Sequence, residues 1–370
     1  MGRTKPVVGL ASALGIAALA SGALVSPANA STQAAGAVFS LSNSTTGNAV
    51  LSWTRSAKGE LVPGPSYATG GLGSGAGLGS QGSVTVSPDR SYLLAVNPGS
   101  DEVSAFSIEG TALSLIDTVS SRGDLPISVT VSHDVVYVLN AGAVPNISGY
   151  HLSAGALTQI PGSVVDLPSG ASGPAEVAFT PAGDRLVVTE KGANRIDTFA
   201  VGSDGRASQG VTTPSAGVTP FGFGFNNKGT LLVTDAAGGA AGASTASSYR
   251  VNSNGSVSVV SGAVPTTQTA ACWLVATNDG KYAFTSNTGS GSISSFAVGN
   301  DGSLNLLQAV AASPSGTTID SAVDVSSKHL FTLDAANDKI DGYTVGSGGS
   351  LSKVASTVGL PTASVGLAAI

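Results

Sequence analysis

Six apolar runs in this chain close on a side chain capable of chemistry: Asn97, Asn140, Glu190, Asp235, Asn287 and Asp334, spaced 43 to 52 residues apart. Asn43 extends the series towards the N-terminus. Amides and carboxylates gathered at the same end of successive elements would line a site for a small polar molecule. Glu190 is the only glutamate of the series; Lys191, Asn194 and Arg195 follow it closely, and Glu176 lies one strand before it. Two carboxylates whose surroundings separate their pKa values can act as general base and general acid. Lys191 or Arg195 could then stabilise a developing oxyanion. The competing assignments are ordinary ones: a salt bridge from Glu190 to Arg195, and strand-end Asn and Asp bonding their own turns. Trp273 offers either a flat platform for a sugar or aromatic ring, or a packed core position.

Other catalytic classes find little support. His133, His151 and His329 fall in a first turn, after a third strand and at the start of a second strand, so they assemble no metal site. Asp334, Asn337 and Asp338 lack the spacing of a Ca²⁺ loop. Serines abound without a Gly-x-Ser-x-Gly elbow, and Cys272 sits in the apolar run Ala271–Val275, which reads as a small buried hydrophobe. Neither a metal nor a cofactor is expected.

The elements that must position these residues repeat. Between Gly82 and Pro126 the pattern reads as four strands, Val84 following Ser83, then Tyr92 to Val96, Val103 to Ile108 and Ser114 to Thr118, with Ser87-Pro88-Asp89-Arg90 as the first turn. Later copies place Asn254-Gly255 and Asp301-Gly302 in the last hairpin, where positive φ is needed. Each third strand closes on an aromatic: Phe106, Tyr150, Phe199, Tyr249, Phe296 and Tyr343. Such a period belongs to propeller blades. First strands begin near residues 82, 127, 175, 221, 271 and 320, giving six blades. Three N-terminal strands (Val38 to Leu41, Ala49 to Thr54, Gly59 to Val62) and a C-terminal strand, Ser364 to Ile370, supply a seventh, with the tail innermost. The expected fold is all-β, a seven-bladed β-propeller of four-stranded blades closed by a composite blade. Connectors into first strands and loops after second strands then share one face, around the channel mouth. The Gly-rich stretch Gly70 to Gly82 reads as a flexible connector between blades.

Residues 1–30 read as a secretory signal peptide: Arg3 and Lys5, an apolar stretch from Val7 to Val25, then Ala28-Asn29-Ala30 as the cleavage site, with the cut after Ala30. The propeller is assigned to 31–370, and the mature protein is expected to be secreted and monomeric. Without Arg3 and Lys5 the formal net charge goes from −6 to −8, which argues against nucleic acid as a partner. No later segment is long and apolar enough to span a membrane. The single cysteine leaves no intrachain disulfide, so stability must come from a large core.

The segment Gly173-Pro174-Ala175-Glu176-Val177-Ala178-Phe179-Thr180-Pro181, continuing through Val188-Thr189-Glu190-Lys191-Gly192-Ala193-Asn194-Arg195-Ile196, resembles the seven-bladed lactonase family of 6-phosphogluconolactonase and carboxymuconate cyclase-like enzymes. The resemblance covers nearly all of the mature chain. Members typically carry Gly-Pro-Arg-His at the start of one blade and Asn-Glu at the end of the next strand. Here Ala175 and Glu176 hold the Arg and His positions, while Glu190 matches the Glu. The resemblance implies ring-opening of a lactone by water, with Glu190 activating the water and Glu176 assisting proton transfer. The substrate or ligand expected is a small non-phosphorylated, sugar-like or aromatic lactone. The alternative is a non-catalytic extracellular propeller, a binding or adhesion platform at the cell envelope.

Overall fold

The fold is that of a computed structural model describing residues 34–370 except 154, 169–172 and 315; the expected leader over 1–30 lies outside the described residues. Seven antiparallel sheets follow one another in sequence. The second to seventh begin with the inner strands Val84–Val86, Pro126–Ser132, Pro174–Phe179, Pro220–Phe225, Ala271–Ala276 and Thr318–Val323. Second strands such as Leu93 to Val96 are buried at each of these positions because both sheet faces meet neighbouring blades. The third-strand aromatics Phe106, Tyr150, Phe199, Tyr249, Phe296 and Tyr343 are all buried between blades. Each removes enough apolar area from water to contribute about 2–3 kcal/mol.

The first sheet is composite, in the order Val365–Ala369, Gly36–Leu41, Ala49–Arg55, Leu61–Ala68. The C-terminal strand is innermost and pairs antiparallel with the first, Val38 opposite Ala369 and Leu41 opposite Val365. Behind this seam lies a buried ionic clamp. Arg55 meets Asp324 of the seventh blade at 3.3 Å, and Asp324 also takes His329 Nδ1 at 2.8 Å. The same guanidinium donates to the carbonyls of Ala35 and Ile370. The outer strand is longer than the sequence suggested and runs through Pro63, Gly64 and Pro65. Proline is tolerated there because the outer edge of the strand has no partner for its missing N–H.

Five inner strands carry a register shift at their first residues, between Pro126 and Ser128, Pro174 and Glu176, Pro220 and Phe223, Ala271 and Trp273, and Ile319 and Ser321. Such bulges re-aim side chains without breaking the ladder. After three of them, Glu176, Phe223 and Ser321 line the central cavity.

Candidate functional site

A cavity of about 330 Å³ runs along the axis of the ring, lined by inner-strand residues including Phe223, Leu274, Ala322 and Leu367. Its polar lining comprises Gln81, Thr85, Glu176 and Ser321. Glu176 Oε2 accepts the Phe223 N–H at 2.6 Å, and Oε1 accepts from Gln81 Nε2 at 3.2 Å. Burial pushes this carboxyl well above the usual carboxylate range; the Phe223 N–H opposes the shift and the charge of Asp320 adds to it. Burial therefore favours the protonated form of Glu176, which lies in a cavity wall of mixed polar and apolar side chains.

The carboxylate bond to the next blade is one case of a rule. Ser128 Oγ accepts the Val177 N–H at 3.2 Å, and Asp320 Oδ2 accepts the Gly366 N–H at 2.8 Å. In the fifth blade the corresponding position is Gly222, which has no side chain to offer. Gln81 fills the gap from outside the blade: its Oε1 accepts the Leu274 N–H at 2.9 Å, and its Nε2 donates to Phe223 O and Leu274 O. A Cβ on Gly222 would sit 2.3 Å from Gln81 Oε1, so the glycine and the glutamine fit only each other. Asp320 is fully buried one residue before Ser321 of the cavity wall, and burial lifts its carboxyl to about 7 against the Gly366 N–H.

At the mouth of the channel Phe221 and Trp273 pack with ring centroids 5.1 Å apart. The Lys191 ammonium lies 4.6 Å from the centre of the Phe221 ring, and desolvation lowers its pKa. Residues 78–81 lie across this mouth. Lys191 Nζ donates to Gly79 O, Trp273 Nε1 donates to Ser80 O at 2.9 Å, and Gln81 N donates to Ala175 O at 3.0 Å. The Gly-rich connector is thus a fitted strap across the channel. The expectation of a merely flexible linker is corrected, because its glycine backbone supplies specific acceptors to the mouth.

The structure separates Glu176 from Glu190. Glu176 stands opposite Thr189 in the ladder, so Glu190, one residue on, projects from the other face of the sheet. There it is fully buried, 3.8 Å from Arg195 Nε, and beside Asp197, whose carboxyl is raised by burial and by Glu190. The pairing of the two glutamates as base and acid is corrected on this ground. Asn194 is exposed and accepts the Thr219 N–H at 2.6 Å, with φ 52°. Asn97, Asn140, Asp235, Asn287 and Asp334 are fully buried within their blades and do not line the cavity. Asn97 donates to Ser104 Oγ at 2.7 Å, Asn140 to Ser121 O at 3.0 Å, and Asn287 to Ser294 Oγ at 2.8 Å. Asp235 accepts from Ser247 at 2.6 Å, and Asp334 pairs with Lys339 at 3.3 Å. Each joins the end of a second strand to the third strand or to its neighbouring connector. Trp273 takes the packed position of the two expected, buried with Ala175, Phe221, Ala236 and Cys272 beneath the strap; Phe221, Gln81 and Asp320 lie outside the expected set. Among the described residues no cluster of three His, Cys, Asp or Glu could hold a metal ion, and no helix is long and apolar enough to cross a membrane.

The family description "Lactonase, 7-bladed beta-propeller" matches residues 145–238 and 236–364. No curated protein is detectably similar in sequence. Among solved structures, a protein from Lactobacillus plantarum superposes with a TM-score of 0.73 at 21% identity, over 90% of this chain and 99% of that one. A putative 6-phosphogluconolactonase from Bacteroides uniformis gives 0.66 at 20% identity, over 89% and 99%. The periplasmic gluconolactonase of Pseudomonas aeruginosa gives 0.67 at 17% identity, over 88% and 97%. These likenesses concern the fold.

Proposed function

Because this chain belongs to the lactonase family of seven-bladed β-propellers, we propose that it binds a small neutral lactone in its central channel and opens the ring with water. The observation that carries the reading is Glu176, a carboxyl buried in the wall of the axial cavity, where desolvation favours its protonated form. A protonated carboxyl in an apolar site can donate a hydrogen bond to a carbonyl oxygen as negative charge builds there. Water adds to the acyl carbon, the ring C–O bond breaks, and the product is a hydroxy acid. Asp320 does not line the cavity itself, but it adjoins Ser321 of the wall and its charge acts on Glu176; with a carboxyl near 7 it would take the proton from water at that wall and return it to the leaving alkoxide. Glu190, held by Arg195 on the opposite face of the sheet, is not assigned the base role.

The cavity wall mixes apolar side chains with Gln81, Thr85, Glu176 and Ser321 and, among the described residues, holds no cation, which favours sugar-like or aromatic lactones without a phosphate; Lys191 lies at the mouth. The leader read over residues 1–30 supports an extracytoplasmic setting, and we assign the working unit as a monomer.

Purified protein offered neutral sugar and aromatic lactones should show turnover that falls at least about 100-fold in Glu176→Gln and Asp320→Asn. Glu190→Gln should keep its turnover. The pH profile should rise as Asp320 ionises near 7 and fall where Glu176 loses its proton; the two limbs belong to the interacting pair. Unchanged turnover in Glu176→Gln would overturn the mechanism. A second reading, a binding platform without catalysis, is favoured by Ala175 at the position where the family resemblance calls for arginine and by the strap across the mouth. It predicts no turnover on any lactone.

A further inference from the structure

Lys191 is a mostly buried ammonium that pairs with no carboxylate among the described residues. Its neighbours are the Phe221 ring and the Gly79 carbonyl. Beside it, Trp273 spends its indole N–H on another strap carbonyl, that of Ser80. The Phe221 ring lies under the ammonium and packs against the tilted Trp273 ring. A cation, an N–H donor and two aromatic rings at the head of a channel form the complement of a planar carboxylate, and two backbone carbonyls of the strap take the place its oxygens would fill.

We propose that this mouth is a binding site for ring-bearing carboxylates, and that the strap segment Gly77–Ser80 is a built-in stand-in which such a ligand displaces. The chain on either side is arranged for this. Upstream, residues 73–76 are tied down: Gly73 N donates to Ser44 O, Ser74 N to Asn43 Oδ1, and Asn43 Nδ2 to Ala76 O. Downstream, Gln81 is fixed by its bonds to Leu274 and Phe223. Between them Gly77 has nothing within 4 Å of where a Cβ would stand, and Gly79 takes φ 59°. The short segment can swing out by breaking the bond from Ser80 Oγ to Ile127 O (2.9 Å), while Gln81 stays in place as the floor, so Glu176 keeps its partner. Leu78 anchors the closed state through apolar contact with the second to fourth blades.

Displacement exchanges one acceptor for a better one. A carboxylate offers Lys191 a full negative charge in a partly desolvated site, where a charge-assisted bond is roughly twice as strong as one to a neutral carbonyl. The closed strap lowers apparent affinity by the fraction of molecules in which the mouth is filled. The lactone reading is needed only to name the source of the ligand: opening of an aromatic lactone yields a hydroxy acid that keeps its aromatic ring, so this site would hold that product's carboxylate.

Benzoate is the probe, with benzyl alcohol as its uncharged counterpart, and binding is read without any turnover assay. In a Trp53→Phe background, Trp273 is the only tryptophan and its emission reports the mouth. Benzoate should shift that emission saturably, benzyl alcohol should bind at least 10-fold more weakly, and Lys191→Met should weaken benzoate at least 10-fold. On the otherwise unaltered protein, chymotryptic cleavage after Leu78 should quicken when benzoate is bound. Equal affinity in Lys191→Met, equal binding of both probes, no saturable shift, or unchanged cleavage at Leu78 would each overturn the proposal. Failure of lactone turnover with benzoate binding intact would remove the hydrolytic reading alone.

Discussion

Gln81 repays attention at the scale of single residues because it serves a neighbour two blades away. Removing its side chain in Gln81→Ala leaves the Leu274 N–H without its acceptor and Glu176 without the amide donor. One such orphaned buried group costs about 1–3 kcal/mol, so the variant should unfold at a lower temperature in calorimetry. Loss of the donor also favours the protonated form of Glu176, so the alkaline limb of any activity profile should move up. A Gln81→Ala protein with unchanged stability and profile would refute the role given to it. Nothing in the local sequence announces this residue. The signal is an absence at Gly222, where Ser128, Glu176 and Asp320 supply acceptors to the next inner strand in their own blades. Glu176 was legible because it occupies a recognisable place at a strand start. Its separation from Glu190 was hidden in the bulge after Pro174, which a count of alternating residues cannot detect.

Among elements, the composite blade was the most legible, since Asn43 and Trp53 keep the same spacing from strand end to aromatic as the intact blades. Its outer strand was misjudged because Pro63, Gly64 and Pro65 read as breakers, although an edge strand accepts them. The strap was misread for a related reason: its contacts are made by main-chain carbonyls of Gly79 and Ser80, which composition does not record. The seam makes a direct prediction. Arg55→Met leaves Asp324 buried with His329 but without the guanidinium, and breaking one side of a buried ion pair typically costs about 3–5 kcal/mol. Asp324→Asn in the same background should lose much less than its effect alone, a coupling that a double-mutant cycle would read. Independent, additive losses would mean that the clamp does not act as a unit. Removing residues 364–370 should cost more still, because it strips the inner strand of the first blade.

On the scale of the whole molecule, the internal carboxyls set the response to acid. Asp235 is raised to about 6 and Asp320 to about 7, and burial also raises Glu176 and Asp197. An acid whose folded pKa lies above its unfolded value near 4 holds its proton in the native state after the unfolded chain has lost it. Stability therefore falls as pH rises from about 4 through each folded pKa. Asp324, Asp89, Asp279 and Asp301 are shifted down, and what they contribute is lost only as pH drops below about 4. The optimum should lie near pH 4, with a melting temperature at pH 5 still higher than at pH 8 by roughly 3 °C or more. A melting temperature that climbs steadily from pH 5 to pH 8 would show that these carboxyls are not held neutral in the native ring. The order in which the ring is made also has a consequence for biosynthesis. Val365–Ala369 is translated after every other strand it joins, although its partner Gly36–Leu41 emerges among the first. A nascent chain on the ribosome can therefore assemble its intermediate blades one by one, but the first must wait, unsealed, until synthesis of the sheet's last member is complete.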